Sequence, residues 1–99
     1  MALLSFVAGT VNLQLPFVVT DPYGDLLTNA TSATVTWLAE DGRSRPLTLV
    51  GATSAVFAYT LSASDYPGPR YERGQLRVSI GVSVYWLPVF TLAATPSLL

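Results

Sequence analysis

The chain has no cysteine, no histidine and no lysine. Without cysteine there is no disulfide and no thiolate metal site. Without histidine the usual general base and the commonest metal ligand are missing. The five basic residues are all arginine and stand against six acids, for a net charge of −1. That balance leaves no basic footprint for nucleic acid. Charged residues make up 11% of the chain, against roughly 25% in an average soluble domain.

What is there instead is apolar. Hydrophobic residues are 51% and mean hydropathy is +0.46. Ninety-nine residues suit one domain with one core. A domain this small and this apolar has little polar surface with which to cover itself. The excess is therefore expected to be buried against other chains. Two long stretches, Met1 to Thr20 and Val78 to Leu99, carry no charge and raise the question of a membrane. The first has no basic leader and is interrupted by Gly9, Asn12, Gln14 and Pro16. The second holds Ser79, Gly81, Ser83, Pro88 and Pro96 and alternates like a strand. Neither reads as a membrane span or a signal peptide.

Alternation with a period of two dominates the chain. Leu13, Leu15, Phe17 and Val19 share one face, and "DPYGD" at 21–25 then makes a turn. Residues 33–39 put Val35 and Trp37 on one side, and an Asp41-Gly42 pair turns the chain back. Residues 45–50 point Leu47 and Leu49 inward, and residues 55–61 group Phe57, Tyr59 and Leu61. Residues 75–80 point Leu76, Val78 and Ile80 inward, and residues 83–92 follow a turn at Gly81-Val82. A weaker strand spans residues 3–7, giving six or seven strands in all. No stretch has a sustained helical period, and the single helical turn expected is at Ser62 to Tyr66, with Ser62 as cap. The expectation is an antiparallel β-sandwich, with a small barrel as the alternative. Pro88 lacks a ladder donor, so the last strand is expected at an edge or with a bulge there.

Candidate chemistry is sparse. Asp21 and Asp25 flank one tight turn, but calcium takes six to eight oxygens. Turn stabilisation by the aspartate side chain is the simpler reading. Glu40 and Asp41 sit in a hairpin turn, where charge is expected. Asn29 opens an Asn-Ala-Thr triplet that matches a glycosylation acceptor. No catalytic set, cofactor site or metal site is assigned. Trp37 alternates with the core. Tyr85 and Trp86 are neighbours on a strand and must face opposite sides, so one leaves the core as an interface anchor or a ligand platform.

From Asn12 onward the order of features is familiar. "NLQLPFVV" leads to the aspartate turn, then to "SATVTWLAEDGR", "PLTL" and "VFAYTLSASDYPGPRYERGQLRVSI". A closing segment "GVSVYWLPVFTL" follows. With Asp21, Gly24, Asp41-Gly42, Asp65, Pro67 and Tyr71 as punctuation, residues 11–93 resemble the immunoglobulin-like N-terminal domain of the baseplate upper proteins of tailed bacteriophages. Pro69 and Arg70 stand where that family's corner has a glycine before its tyrosine. The resemblance implies an immunoglobulin-like sandwich with no active site. It points to a virion protein assembled in the host cytoplasm. A stand-alone domain of this type would be a capsid decoration (cement) protein or a small baseplate or tail adaptor. Its partners would be other virion proteins and further copies of itself, not nucleic acid or membrane. A carbohydrate- or receptor-binding module is the rival.

These readings divide the chain into an arm or edge strand (residues 1–10), the sandwich (11–93) and a tail (94–99). The charged stretch at residues 64–73 reads as a corner. Asp65 accepts backbone hydrogen bonds, Tyr71 packs its ring on the sandwich end, and Arg70, Glu72 and Arg73 are left for solvent or a neighbour. Leu3, Leu4, Phe6 and Val7 are uncharged and expected to grip a neighbouring subunit, each worth roughly 1.5–3 kcal/mol if fully buried. With Arg70, Arg73, Tyr85 and Trp86 they form the candidate interface set. The apolar tail residues Leu98 and Leu99 are expected to need a similar tie.

Overall fold

A computed structural model of the chain describes residues 3–27, 32–51 and 55–96, with the backbone alone of Leu3. The strands are β1 (Leu3–Val7), β2 (Gln14–Val18), β3 (Thr34–Ala39), β4 (Ser44–Pro46), β5 (Thr48–Leu49), β6 (Val56–Thr60), β7 (Arg70–Ile80), β8 (Ser83–Trp86) and β9 (Phe90–Thr95). They form two sheets. The larger runs β1-β9-β7-β3-β4, with β8 also on β7, and the smaller runs β2-β6-β5. No helix occurs among the described residues. The sheets stay open and stack as a β-sandwich, which sets the small barrel aside. Asn29, Leu98 and Leu99 lie outside the described residues.

The alternating positions fill the space between the sheets. Trp37 is fully buried, with Phe17, Tyr59 and Phe90 each 5.8 Å away between ring centroids and Tyr66 at 6.5 Å. Leu15, Val19, Val35, Phe57, Leu61, Leu76, Val78 and Leu92 complete the core. Gly74 sits against this cluster for a steric reason. A Cβ there would stand 2.6 Å from both Trp37 Nε1 and Phe90 Cζ.

Among the described residues there are nine strands rather than six or seven, and both extra breaks have a cause. The stretch 45–50 is one extended segment by pattern. In space, β4 pairs β3 in the larger sheet and β5 pairs β6 in the smaller. The chain changes sheets at Leu47, whose N–H still bonds the Val35 carbonyl at 2.9 Å. The stretch 83–92 is broken at Pro88. From Trp86 to Phe90 the chain advances four positions while β7 retreats three, from Arg77 to Gly74. One residue is therefore extra, which is a β-bulge, as the missing proline donor requires.

Of the two readings of the N-terminal segment, arm or edge strand, residues 3–7 take the second. Residues 3–7 are the outermost strand of the chain's own larger sheet, paired in parallel with β9 from Leu3↔Thr91 to Val7↔Thr95. Alternation turns Phe6 into the core and Leu4 against it, while Val7 faces solvent. The sandwich thus starts at β1 rather than at residue 11, and β9 runs past residue 93 to Thr95. The β1–β9 pair is parallel, so the sandwich is not purely antiparallel.

Candidate functional site

The two ends of the sandwich differ in kind. At one end lie the β3–β4 hairpin and the corner that leads into β7. Position 45 has the same parity as Leu47, so Arg45 points inward and is only 3% exposed. Its Nε donates to Asp65 Oδ1 at 3.1 Å. The guanidinium lies 4.8 Å from the Trp37 ring centroid and 5.3 Å from that of Tyr66. Its two amino groups find no hydrogen-bond acceptor among the described residues, so ring faces are what they meet. A charge this deep requires its partner.

Asp65 is held in turn by Ser62. The Ser62 N–H and Oγ and the Tyr59 hydroxyl all donate to Asp65 Oδ2, at 2.8, 2.9 and 2.8 Å. Burial pushes the Asp65 carboxyl up, but these bonds and Arg45 outweigh it and hold it below its ordinary value. The helical turn expected at Ser62 to Tyr66 is not formed: Asp65 N–H bonds the Ser62 carbonyl at 3.2 Å in a plain turn, and the capping side chain is that of Asp65, not Ser62.

The ring that packs on this end is Tyr66, buried edge-on against Phe6 at 5.2 Å. Tyr71, expected in that role, is 71% exposed. The inward positions of β7 are the even ones, so Tyr71 faces out while Glu72 faces in. The Tyr66 hydroxyl donates to Glu72. Burial, then the Glu72 carboxylate, push the Tyr66 hydroxyl far above its ordinary value.

Arg70 and Arg73 are not left over. Arg70 pairs with Asp41 at 3.3 Å and Glu72 at 3.4 Å, and lies 4.6 Å over the Tyr66 ring. Arg73 pairs with Glu40 at 3.0 Å across the hairpin. The hydrogen bond from the Arg73 side chain is the main reason the exposed Glu40 carboxyl lies below its ordinary value. Every charge of the corner is thus spoken for within the chain.

The other end is built from the 20–27 turn, the end of β2 and the β7–β8 hairpin. Asp21 Oδ1 accepts from Tyr23 N and Asp25 N at 2.9 and 3.0 Å. This is the side-chain turn the sequence suggests, and no group of three acids gathers as a metal site among the described residues. Tyr85 faces inward and its hydroxyl donates to the Thr20 carbonyl at 2.9 Å. Trp86 is the member that leaves the core, at 51% exposure. Val18, Tyr23, Leu26, Val82 and Val84 are exposed on the same elements.

Beside Trp86 the bulge opens a shallow concavity of about 340 Å³, with Glu40, Arg73 and Gln75 on its rim. Of the eight candidate interface residues, the structure puts Tyr85 and Trp86 together on β8 and brings Arg73 to the concavity beside Trp86. Leu3, Leu4, Phe6 and Val7 are placed on β1, and Arg70 and Arg73 at the charged end. No protein-family model, no curated protein and no solved structure matches the chain.

Proposed function

We propose that the protein is a non-enzymatic structural component that works by protein–protein contact. On the resemblance of residues 11–93 to the baseplate domain, its setting is the particle of a tailed bacteriophage. There it serves as a capsid decoration (cement) protein or a small baseplate or tail adaptor. One observation carries the contact reading: Trp86, Val84, Val82 and Val18 stand exposed at the end of the sandwich that holds few of the charges. Half-exposed tryptophan with apolar neighbours is the composition of an interface core.

The test is particle incorporation. Particles of the encoding phage are purified from cells supplying either wild-type chain or the Val84→Ser, Trp86→Ser double variant. Wild type should be found in the particle at a fixed stoichiometry by mass spectrometry, and the folded variant should be lost from it. A chain absent from particles, or a variant incorporated as well as wild type, overturns the reading.

A second reading has its own observation. The exposed indole of Trp86 borders the concavity whose rim carries Glu40, Arg73 and Gln75, and an aromatic face flanked by hydrogen-bonding groups suits a sugar ring. A glycan array separates the two. Binding abolished by Trp86→Ala favours the carbohydrate reading, and an array that stays blank removes it.

A further inference from the structure

We propose that two copies of this chain join edge to edge through β1, antiparallel, about a two-fold axis at Ser5. An assembly role needs a contact between copies, and this one centres on β1 and leaves out Trp86 and Val84, so it is tested separately from them.

The backbone of β1 presents the edge. Ala8 N–H donates to the Thr95 carbonyl at 2.8 Å, and the Phe6 carbonyl accepts from Thr95 Oγ1 at 3.2 Å. Even-numbered residues of β1 therefore face β9. In a parallel ladder the alternate residues face the other way, so Leu3, Ser5 and Val7 direct their N–H and C=O groups outward. Thr10 takes the Val7 carbonyl, through its N–H at 3.2 Å and its hydroxyl at 2.6 Å. The N–H and C=O of Ser5, the N–H of Val7 and the C=O of Leu3 point to the open side.

The other edges carry the devices that block such pairing. On β2, Val19 N–H to the Ala55 carbonyl and Leu61 N–H to the Leu13 carbonyl fix the bonded positions as odd. Pro16 therefore puts its donorless nitrogen on the open side of β2. On β4 the same parity argument, from Ala39 N–H to the Arg43 carbonyl and Leu47 N–H to the Val35 carbonyl, puts the Pro46 nitrogen outside. The β5 strand has two residues, and β8 has four before the Pro88 bulge. By contrast β1, "LLSFV", has five residues with no charge, proline or bulge.

The occupant is argued from fit. Turned about Ser5, the strand meets itself with Leu4 opposite the second copy's Phe6 and Ser5 opposite Ser5. Ser5 exchanges both backbone bonds with its mate, and each Val7 N–H meets a Leu3 carbonyl. No charge is opposed to a like charge. Leu4 also lies on the rim of an apolar groove between the sheets, lined by Pro16, Phe17, Val18 and Phe90 among others. The second copy's core-side residues extend over that flank, so apolar surface is covered as backbone is paired.

The test is sedimentation velocity across a dilution series of the full chain, with hydrogen exchange alongside. Wild type should dimerise with rising concentration, and protection of the Ser5 and Val7 amides should rise with it. The Leu4 and Phe6 amides, already bonded to β9, should be slow at every concentration. Ser5→Lys and Ser5→Asp place a side chain at an exposed position, leave the monomer folded by circular dichroism, and oppose like charges at the axis. Each should weaken the dimer at least about tenfold, and an equimolar mixture of the two should restore it. A wild type that stays monomeric to about 1 mM, Ser5→Lys dimerising as tightly as wild type, or a mixture that stays monomeric each overturns the proposal. So does Ser5 amide exchange that ignores concentration. Trp86→Ser should leave this dimer unchanged, so failure here and failure of the apolar end are told apart.

Discussion

The two ends of the sandwich invert the usual relation between charge and surface. Eight of the eleven charged residues lie at the corner end: Glu40, Asp41, Arg43, Arg45, Asp65, Arg70, Glu72 and Arg73. They are turned toward one another, and three of them are buried. The opposite end has few charges, and its large side chains, Val82, Val84 and Trp86, stand outside. A cluster of charge looks like a site, yet here each ion has an internal partner, and internal partners are what structural charges have. The large exposed side chains at the other end are apolar. On the proposed function the charged end serves stability and the apolar end contact, and mutations at the two should fall into different assays.

The largest effect belongs to the buried pair. Arg45→Ala leaves Asp65 buried without its cation, a loss of about 3–5 kcal/mol in urea unfolding. Against a typical total of about 5–15 kcal/mol, such a variant is near the limit of folding. Arg45→Leu combined with Asp65→Asn should cost less than the sum of the two singles, because neither partner is then an unpaired ion. Additive costs would show that the pair is not coupled and would weaken the assignment of this end.

Gly74→Ala comes next, at about 1–3 kcal/mol. Its added methyl would meet Trp37 and Phe90 within 2.9 Å, and both rings belong to the packed core. A neutral result would mean that the rings yield without cost, which the aromatic cluster around Trp37 argues against.

Both limits of pH stability trace mainly to the corner. The folded-state carboxyl of Asp65 lies below its ordinary value of 3.8. Its contribution is present above that pH and is lost as pH falls through the depressed value. Tyr66, Tyr59 and Tyr85 lie above their ordinary 10.0, burial being the largest cause for each. Their contribution is complete below about pH 10 and is lost as pH rises through the raised values. Chemical unfolding at stepped pH should show both losses. Asp65→Asn should flatten the acid side most and the alkaline side in part, because the Asp65 carboxylate helps to raise Tyr59, and an unchanged acid slope would remove Asp65 as its source.

Much of this was legible in the sequence. Period-two alternation found the strands and the core at Val35, Trp37, Leu76 and Val78. The Pro88 rule found the bulge, and Asp21 and Asp65 were read correctly as turn residues. The same alternation, carried one step further, places Arg45 with Leu47 and Glu72 with Leu76. Taking charge as surface hides the buried network there. The sheet change at Leu47 left no mark, because an extended chain reads alike in either sheet. Parallel pairing of residues 3–7 with the last strand was equally invisible, since no local pattern records the partner of an edge strand. The resemblance makes Tyr71 the packing ring, whereas alternation alone assigns it outward.

The smallest effect on stability is expected from the apolar end, and it is the one that decides the comparison. Trp86 and Val84 are about half exposed on the outer face of β8. Across from them on β7 are Arg77 and Ser79. Neither side chain belongs to the core cluster around Trp37, so replacing them removes little that the fold depends on. Val84→Ser with Trp86→Ser should therefore shift unfolding free energy by no more than about 0.5 kcal/mol per site. Burial of an exposed tryptophan at an interface centre is among the costliest contacts to lose, about 2 kcal/mol or more in binding. The double variant should thus unfold like wild type in urea and fail in particle incorporation. A variant that unfolds early instead would mean that β8 braces the sandwich, and the division of labour between the two ends would collapse.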